Sequence, residues 1–233
     1  MGAERAALTA LTAEIVECRR CPRLVAWREE VADSPPRRYR GETYWARPVP
    51  GFGDPDARIL LVGLSPAANG GNRTGRVFTG DASGDFLWPA LHAVGLANQA
   101  EGRRIDDGLA LAGAYLAAAV RCAPPDNKPT IEERDTCAPY LVRELGLLTR
   151  VRVLVALGSF AWDASIRTVA ALGHGTPAPK PRFGHGAEAI VGPYRLIGTY
   201  HPSQQNTFTG KLTPPMLEAV LRRAVELAAD RSD

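Results

Sequence analysis

Lysine is scarce in this sequence, and no long hydrophobic run occurs. Lys128, Lys180 and Lys211 are the only lysines, so arginine carries nearly all of the basic charge. That bias reads equally as genome composition or as a supply of planar forks for phosphate. The longest apolar stretch, residues 109–120 (LALAGAYLAAAV), is well short of the ~20 residues of a membrane span and contains Gly113 and Tyr115. The N-terminus (MGAERAALTALTAEIVECRR) has acids and an amphipathic pattern where a secretory signal has a basic start and an apolar centre. A cytoplasmic, nucleoid-associated protein without membrane contact is therefore expected. Internal repeats and low-complexity tracts are absent. With 45% hydrophobic and 23% charged residues, disordered and fibrous classes are excluded. A net charge of +3 is only weak support for an acidic partner.

Cysteine is also sparse, but its placement is specific. Cys18 and Cys21 form a C-x2-C pair followed by Pro22, and Cys122 and Cys137 form a looser second pair. Cytoplasmic chains rarely use cysteines as disulfides. Four thiolates suit a [4Fe–4S] cluster, and they also suit zinc. Spacing alone does not choose between them, and four unrelated buried thiols remain the plain alternative. No acid, base or open ligand beside the thiols demands catalysis, so a bound metal group would be a structural staple.

Hydrophobic periodicity divides the remainder into strand–loop–helix units. Residues 3–17 carry a helical stripe at Ala7, Leu8, Leu11, Ile15 and Val16. Residues 32–53 read as an ordered loop rich in proline and arginine. The continuous apolar runs 58–64, 114–121, 151–157 and 194–199 predict four strands buried on both faces. Helices are predicted over 85–94, 130–148, 159–172 and 215–229, the second opened by the capping box Thr130-Ile-Glu-Glu133. This alternation predicts an α/β fold, a three-layer α/β/α domain over residues 1–233 with a central four-stranded parallel sheet. Ligands of such folds bind beyond the carboxyl ends of the strands. The polar loops after each of the four strands fall there.

The loops have unusual chemistry. The first (GLSPAANGGNRTGRVFTGDASG, residues 63–84) is glycine-rich, which allows backbone to approach a ligand. Arg73 and Arg76 are candidates for phosphate contacts. Phe78 is either a core plug or a platform for an extruded base. Asp81 is either a helix N-cap or an anion that orients water or stabilises a sugar cation. The last loop, Pro202, Ser203, Gln204, Gln205, Asn206 and Thr207 after His201, offers uncharged donors and acceptors suited to a nucleic-acid groove. The other histidines, His92, His174 and His185, read as surface residues.

The segments 63–84, VRCAPPDNKPT (120–130), VALGSFAWDA (155–164) and HPSQQNTFTGKLT (201–213), with the four cysteines, resemble family five (UDGb-type) of the uracil-DNA glycosylases. The resemblance runs from the first C-x2-C to Thr213. It implies an enzyme that flips deaminated bases from double-stranded DNA and hydrolyses their N-glycosidic bond; because the three lysines lie outside the strongest motif cores and a lyase step needs a pocket amine, a monofunctional enzyme is expected, and a monomer. Uracil would be a substrate, and hypoxanthine or xanthine further ones. It implies a [4Fe–4S] cluster on Cys18, Cys21, Cys122 and Cys137. It places Phe78 against the base, Gly63, Leu64, Ser65 and Ala118 around it, His201 at its O2 side, and the 202–207 loop in the DNA groove. Related families carry a polar residue at the position of Leu64 and an asparagine at that of Ala118, so Asp81 and then Asn127 become the candidates for polar chemistry. Asn69 stands where many relatives have histidine. The rival class is a non-catalytic iron–sulfur protein that binds DNA or senses redox state.

Overall fold

In the computed structural model, which describes residues 2–229, the chain runs α1 (Gly2–Val16), α2 (Pro22–Asp33), β1 (Phe52–Gly53), β2 (Ile59–Gly63), α3 (Gly71–Thr74), α4 (Ala82–Ala93), β3 (Ala114–Ala118), α5 (Ile131–Leu147), β4 (Val153–Leu157), α6 (Ser159–Ala171), β5 (Glu188–Val191), β6 (Tyr194–Thr199), α7 (Gln204–Phe208) and α8 (Pro214–Ala229). The sheet order is β1-β3-β2-β4-β6-β5. Its inner four strands pair in parallel. These are the four strands the apolar runs predicted.

Each inner strand is buried on both faces because its side chains alternate between two cores. Ile59 and Leu61 join Leu116, Val153, Val155 and Ile197 on one face. Leu60 and Val62 join Tyr115, Leu154, Ala156 and Leu196 on the other. α4 and α8 cover the first face, and α5 and α6 cover the second, with α1 against α5. The capping box of α5 forms as predicted: Glu133 N donates to Thr130 Oγ1 at 3.2 Å, and Thr130 N donates to a Glu133 carboxylate oxygen at 2.8 Å.

The structure corrects four boundaries. The sheet has six strands rather than four, because β1 and β5 add antiparallel edges. β1 has only two residues and β5 is half exposed, so neither leaves a continuous apolar run. The helix expected at residue 85 starts at Ala82, because the Asp81 carboxylate caps the Ser83 and Gly84 amides. Residues 22–33 form a helix with Pro22 at its first turn, a position where proline lacks only an N–H that has no helical partner. Part of the polar loop after β6 coils into α7.

Parallel crossovers bring the carboxyl ends of β2, β3, β4 and β6 to one edge of the sheet. The site lies along that edge.

Candidate active site

A cleft of about 880 Å³ opens there. Its walls come from distant stretches of chain: Trp27 on α2, Leu64, Ser65 and Ala67 to Gly70 after β2, Phe78 and Gly80 to Ser83, Ala118 at the end of β3, Asn127 and Lys128, and His201 with Ser203 to Gln205. Leu64, Ser65, Phe78, Asp81, Ala118, Asn127, His201, Ser203, Gln204 and Gln205, all singled out from sequence, line this one space.

Phe78 is both things the sequence suggested. Its ring is 8% exposed and belongs to the core cluster, yet it also forms cleft wall. Its backbone is left-handed, with φ 51°, a conformation uncommon for a bulky residue. The Phe78 carbonyl is held by the Trp88 indole N–H at 2.6 Å. Gly63 does not line the cleft but explains the ring's place: a Cβ there would sit 2.8 Å from the Phe78 ring. The His201 imidazole lies 5.8 Å from the Phe78 ring centre at an interplanar angle of 31°. Neither His201 ring nitrogen has a hydrogen-bond partner among the described residues. Burial lowers its pKa to about 4, so the imidazole is neutral near pH 7. Asn206 fixes the backbone beneath it, donating Nδ2–H to the His201 carbonyl at 2.8 Å.

Asp81 is likewise both cap and cleft residue. One carboxylate oxygen, Oδ1, accepts the amides of Ser83 and Gly84, each at 3.0 Å. The other faces Gly70, where a Cβ would overlap it. Burial raises its pKa, and the Gly84 and Ser83 amides oppose that rise. Across the cleft Asp126 and Asn127 both have positive φ, 54° and 56°, and Asn127 is exposed at the rim.

Two expected phosphate contacts are not placed for that task. Arg76 is 2% exposed and forks onto Asp107 at 2.9 and 2.7 Å, with its Nε on Thr79 Oγ1 at 2.9 Å. Arg73 is held by Glu42, by the carbonyls of Asn69 and Gly80, and by the Tyr39 ring at 4.1 Å. Both brace the first loop from within. Pro202 is buried and Thr207 bonds back to the Ser203 carbonyl, so within the last loop only Ser203, Gln204 and Gln205 face the cleft. His185, expected on the surface, is half-buried: it stacks on Tyr200 at 5.2 Å, accepts from the Tyr200 amide and lies 3.2 Å from Thr199 Oγ1. Trp27, Arg38 and Tyr39 line the cleft and were missed. They lie on α2 and the turn after it, and the amphipathic stripe of residues 22–33 could have flagged Trp27 alone.

The four cysteines meet away from the cleft. Cys18, Cys21, Cys122 and Cys137 line one small cavity with Arg121 and Tyr140. Among the described residues no three His, Cys, Asp or Glu side chains are grouped as ligands of one metal ion. Two buried arginines reach the thiols, one through its guanidinium and one through its backbone amide. Arg28 Nη1 donates to Cys122 Sγ at 3.1 Å, and the Arg121 amide donates to Cys137 Sγ at 3.2 Å. Arg121 is held from behind by Glu144. The Nε atoms of Arg28 and Arg121 are buried without partners. Burial pushes Cys122 up to about 12 and Cys137 up to about 11, values that thiolate ligation reverses. Four thiols among two buried cations fit a group bound through thiolates.

The fold and the cleft together define a class. The family model described as the uracil DNA glycosylase superfamily matches residues 50–224, and the chain belongs to that superfamily. Within it, the chain is 55% identical to the type-5 uracil-DNA glycosylase of Thermus thermophilus over 92% of its own length and 95% of that protein. It is 52% identical to the type-5 enzyme of Mycobacterium bovis (94% and 81% of the two chains) and 48% identical to that of Pyrobaculum aerophilum (90% and 88%). It is therefore a uracil-DNA glycosylase of the type-5 family. None of the described helices is long and apolar enough to cross a membrane.

Proposed function

We propose that this protein removes uracil, and the deaminated purines hypoxanthine and xanthine, from double-stranded DNA by flipping the base into the cleft. Hydrolysis breaks the bond between the base nitrogen and sugar C1′. A water oxygen bonds to C1′, and the base leaves as an anion that takes up the remaining proton. The observation that carries this reading is the pair Phe78 and His201: an aromatic face and an unpartnered neutral imidazole on one wall, 5.8 Å apart.

Stacking on Phe78 offsets the cost of unstacking the base. A His201 ring N–H donates to the O2 side of the departing base and stabilises its charge as it develops. Neutrality suits the role, since the imidazole gives a hydrogen bond without having to give up a proton. The free side of the Asp81 carboxylate is the acceptor for a water near C1′ or the counter-charge for the sugar cation, with Asn127 the next polar group. Ser203, Gln204 and Gln205 lie against the groove, and the exposed cations Arg38 and Lys128 meet phosphate in place of Arg73 and Arg76. The thiol cavity holds a [4Fe–4S] cluster on Cys18, Cys21, Cys122 and Cys137, which ties α1 and α2 to α5.

The test is excision from a labelled duplex carrying one uracil, read as strand scission after alkali. Cleavage that requires alkali is expected, and His201→Ala should slow it roughly 10²–10³-fold. Intact strands with uracil, hypoxanthine and xanthine would leave a DNA-binding protein. Scission without alkali would show a lyase step.

A further inference from the structure

Trp27 takes no part in bond cleavage as proposed, yet it lines the same cleft. The chain has four tryptophans. Trp45 donates to the Pro48 carbonyl at 3.1 Å, Trp88 to the Phe78 carbonyl at 2.6 Å and Trp162 to the Pro181 carbonyl at 3.0 Å. The Nε1–H of Trp27 is buried with no acceptor. Buried polar groups in native proteins are almost always paired, because an unpaired one forfeits its hydration without return. An orphan donor in the wall of a binding cleft is matched to an acceptor on the ligand.

The type of donor is informative. An indole N–H donates and cannot accept. Ser65 Oγ is also buried without a partner in this wall, but a hydroxyl turns to do either and so discriminates little. Hydrolytic deamination replaces an exocyclic amino group with a carbonyl oxygen, converting a donor into an acceptor. The change is common to cytosine becoming uracil, adenine becoming hypoxanthine and guanine becoming xanthine. A donor-only group meets the new carbonyl and faces the parent amino group donor to donor. Ala118, at the end of β3 in the same cleft, presents a methyl group and can read neither.

We propose that the Trp27 indole N–H recognises the carbonyl that deamination creates, and so sets the substrate class of the cleft as oxo bases rather than amino bases. The proposal rests on the glycosylase reading of the cleft. It accounts for uracil and hypoxanthine together, since O4 of one and O6 of the other hold the same place on the pairing edge, whereas the oxygen that xanthine gains is on C2.

Single-turnover excision by the wild type and by Trp27→Phe, which keeps a ring and removes the N–H, is measured on duplexes carrying uracil and 2-pyrimidinone, the analogue without the 4-oxo group. The variant should lose roughly 10–100-fold on uracil and match the wild type on 2-pyrimidinone. Equal loss on both substrates, or no loss on uracil, overturns the proposal. A wild type inactive on uracil fails the glycosylase reading instead. A second measurement needs no variant. Free uracil is added to the wild-type protein until the His201 ring signals stop moving in the NMR spectrum. The indole resonance of the unpaired tryptophan should shift downfield with uracil and not with cytosine. An indole signal unmoved while His201 responds overturns the proposal.

Discussion

At the scale of single residues, the site depends on side chains held where their own preferences do not put them. Phe78 keeps a left-handed backbone because Trp88 holds its carbonyl and Gly63 leaves room for its ring. Gly63→Ala should therefore push the ring into the cleft and lower excision, while Phe78→Ala removes the platform. Base–aromatic stacking is worth about 1–3 kcal/mol, so kcat/KM of Phe78→Ala should fall roughly 10–100-fold. His201 makes a separate prediction in pH. Its folded pKa of about 4 lies below the ~6.5 of an exposed histidine. Between those values the unfolded chain binds the proton and the folded chain does not. Its contribution to stability is thus complete above about pH 6.5 and declines as pH falls toward 4, by about 3 kcal/mol across the window. Denaturant melts from pH 7 to pH 4 should show that loss in the wild type and a smaller one in His201→Asn.

At the scale of elements, the loop between β2 and α4 is braced by its own arginines. Arg76 reaches across to Asp107, 31 residues away in sequence, with both ends of its fork. Burial opposes ionisation of Asp107, but Arg76 and the amides of Arg104, Leu109 and Arg103 hold it far below the usual carboxylate range. Asp107 is only partly buried and keeps the amides of Arg103, Arg104 and Leu109, so losing Arg76 costs about 1–3 kcal/mol. Arg76→Met should lower stability by that order and leave the salt dependence of DNA binding unchanged. A residue that contacts phosphate would instead reduce the salt slope by about 1. Titrations at several salt concentrations distinguish the two. Sequence favoured the phosphate role because an arginine in a glycine-rich loop looks the same whether it faces out or in.

At the scale of the molecule, the thiol cavity joins the two ends of the helical layer. Cys18 follows α1, Cys21 caps α2, Cys122 follows β3 and Cys137 lies on α5. α2 supplies Trp27 to the cleft, so loosening the thiol centre should loosen the cleft as well. Purified protein should be brown with broad visible absorption. Cys137→Ala should lose that colour together with roughly 5–15 °C of Tm, the span that a few kcal/mol gives a chain of this size. A colourless protein bearing zinc would replace the iron–sulfur assignment.

The sequence by itself determined the four inner strands and the α5 cap, because each depends on neighbours in the chain, and it marked the loops that line most of the cleft. A continuous apolar run such as Ile59–Gly63 marks a strand that needs cover on both faces, and Thr130 and Glu133 cap each other across one turn. The polar loops after parallel strands must share an edge, which is why Phe78, Asp81 and His201 met as expected. Tertiary structure decided whatever depends on partners far along the chain. Asp107 turned Arg76 inward, Tyr200 half-covered His185, and the helix from Pro22 brought Trp27 to a cleft that strand-end loops alone did not complete. Burial and pairing are properties of the packed chain, and local pattern carries no record of which donor will be left without an acceptor.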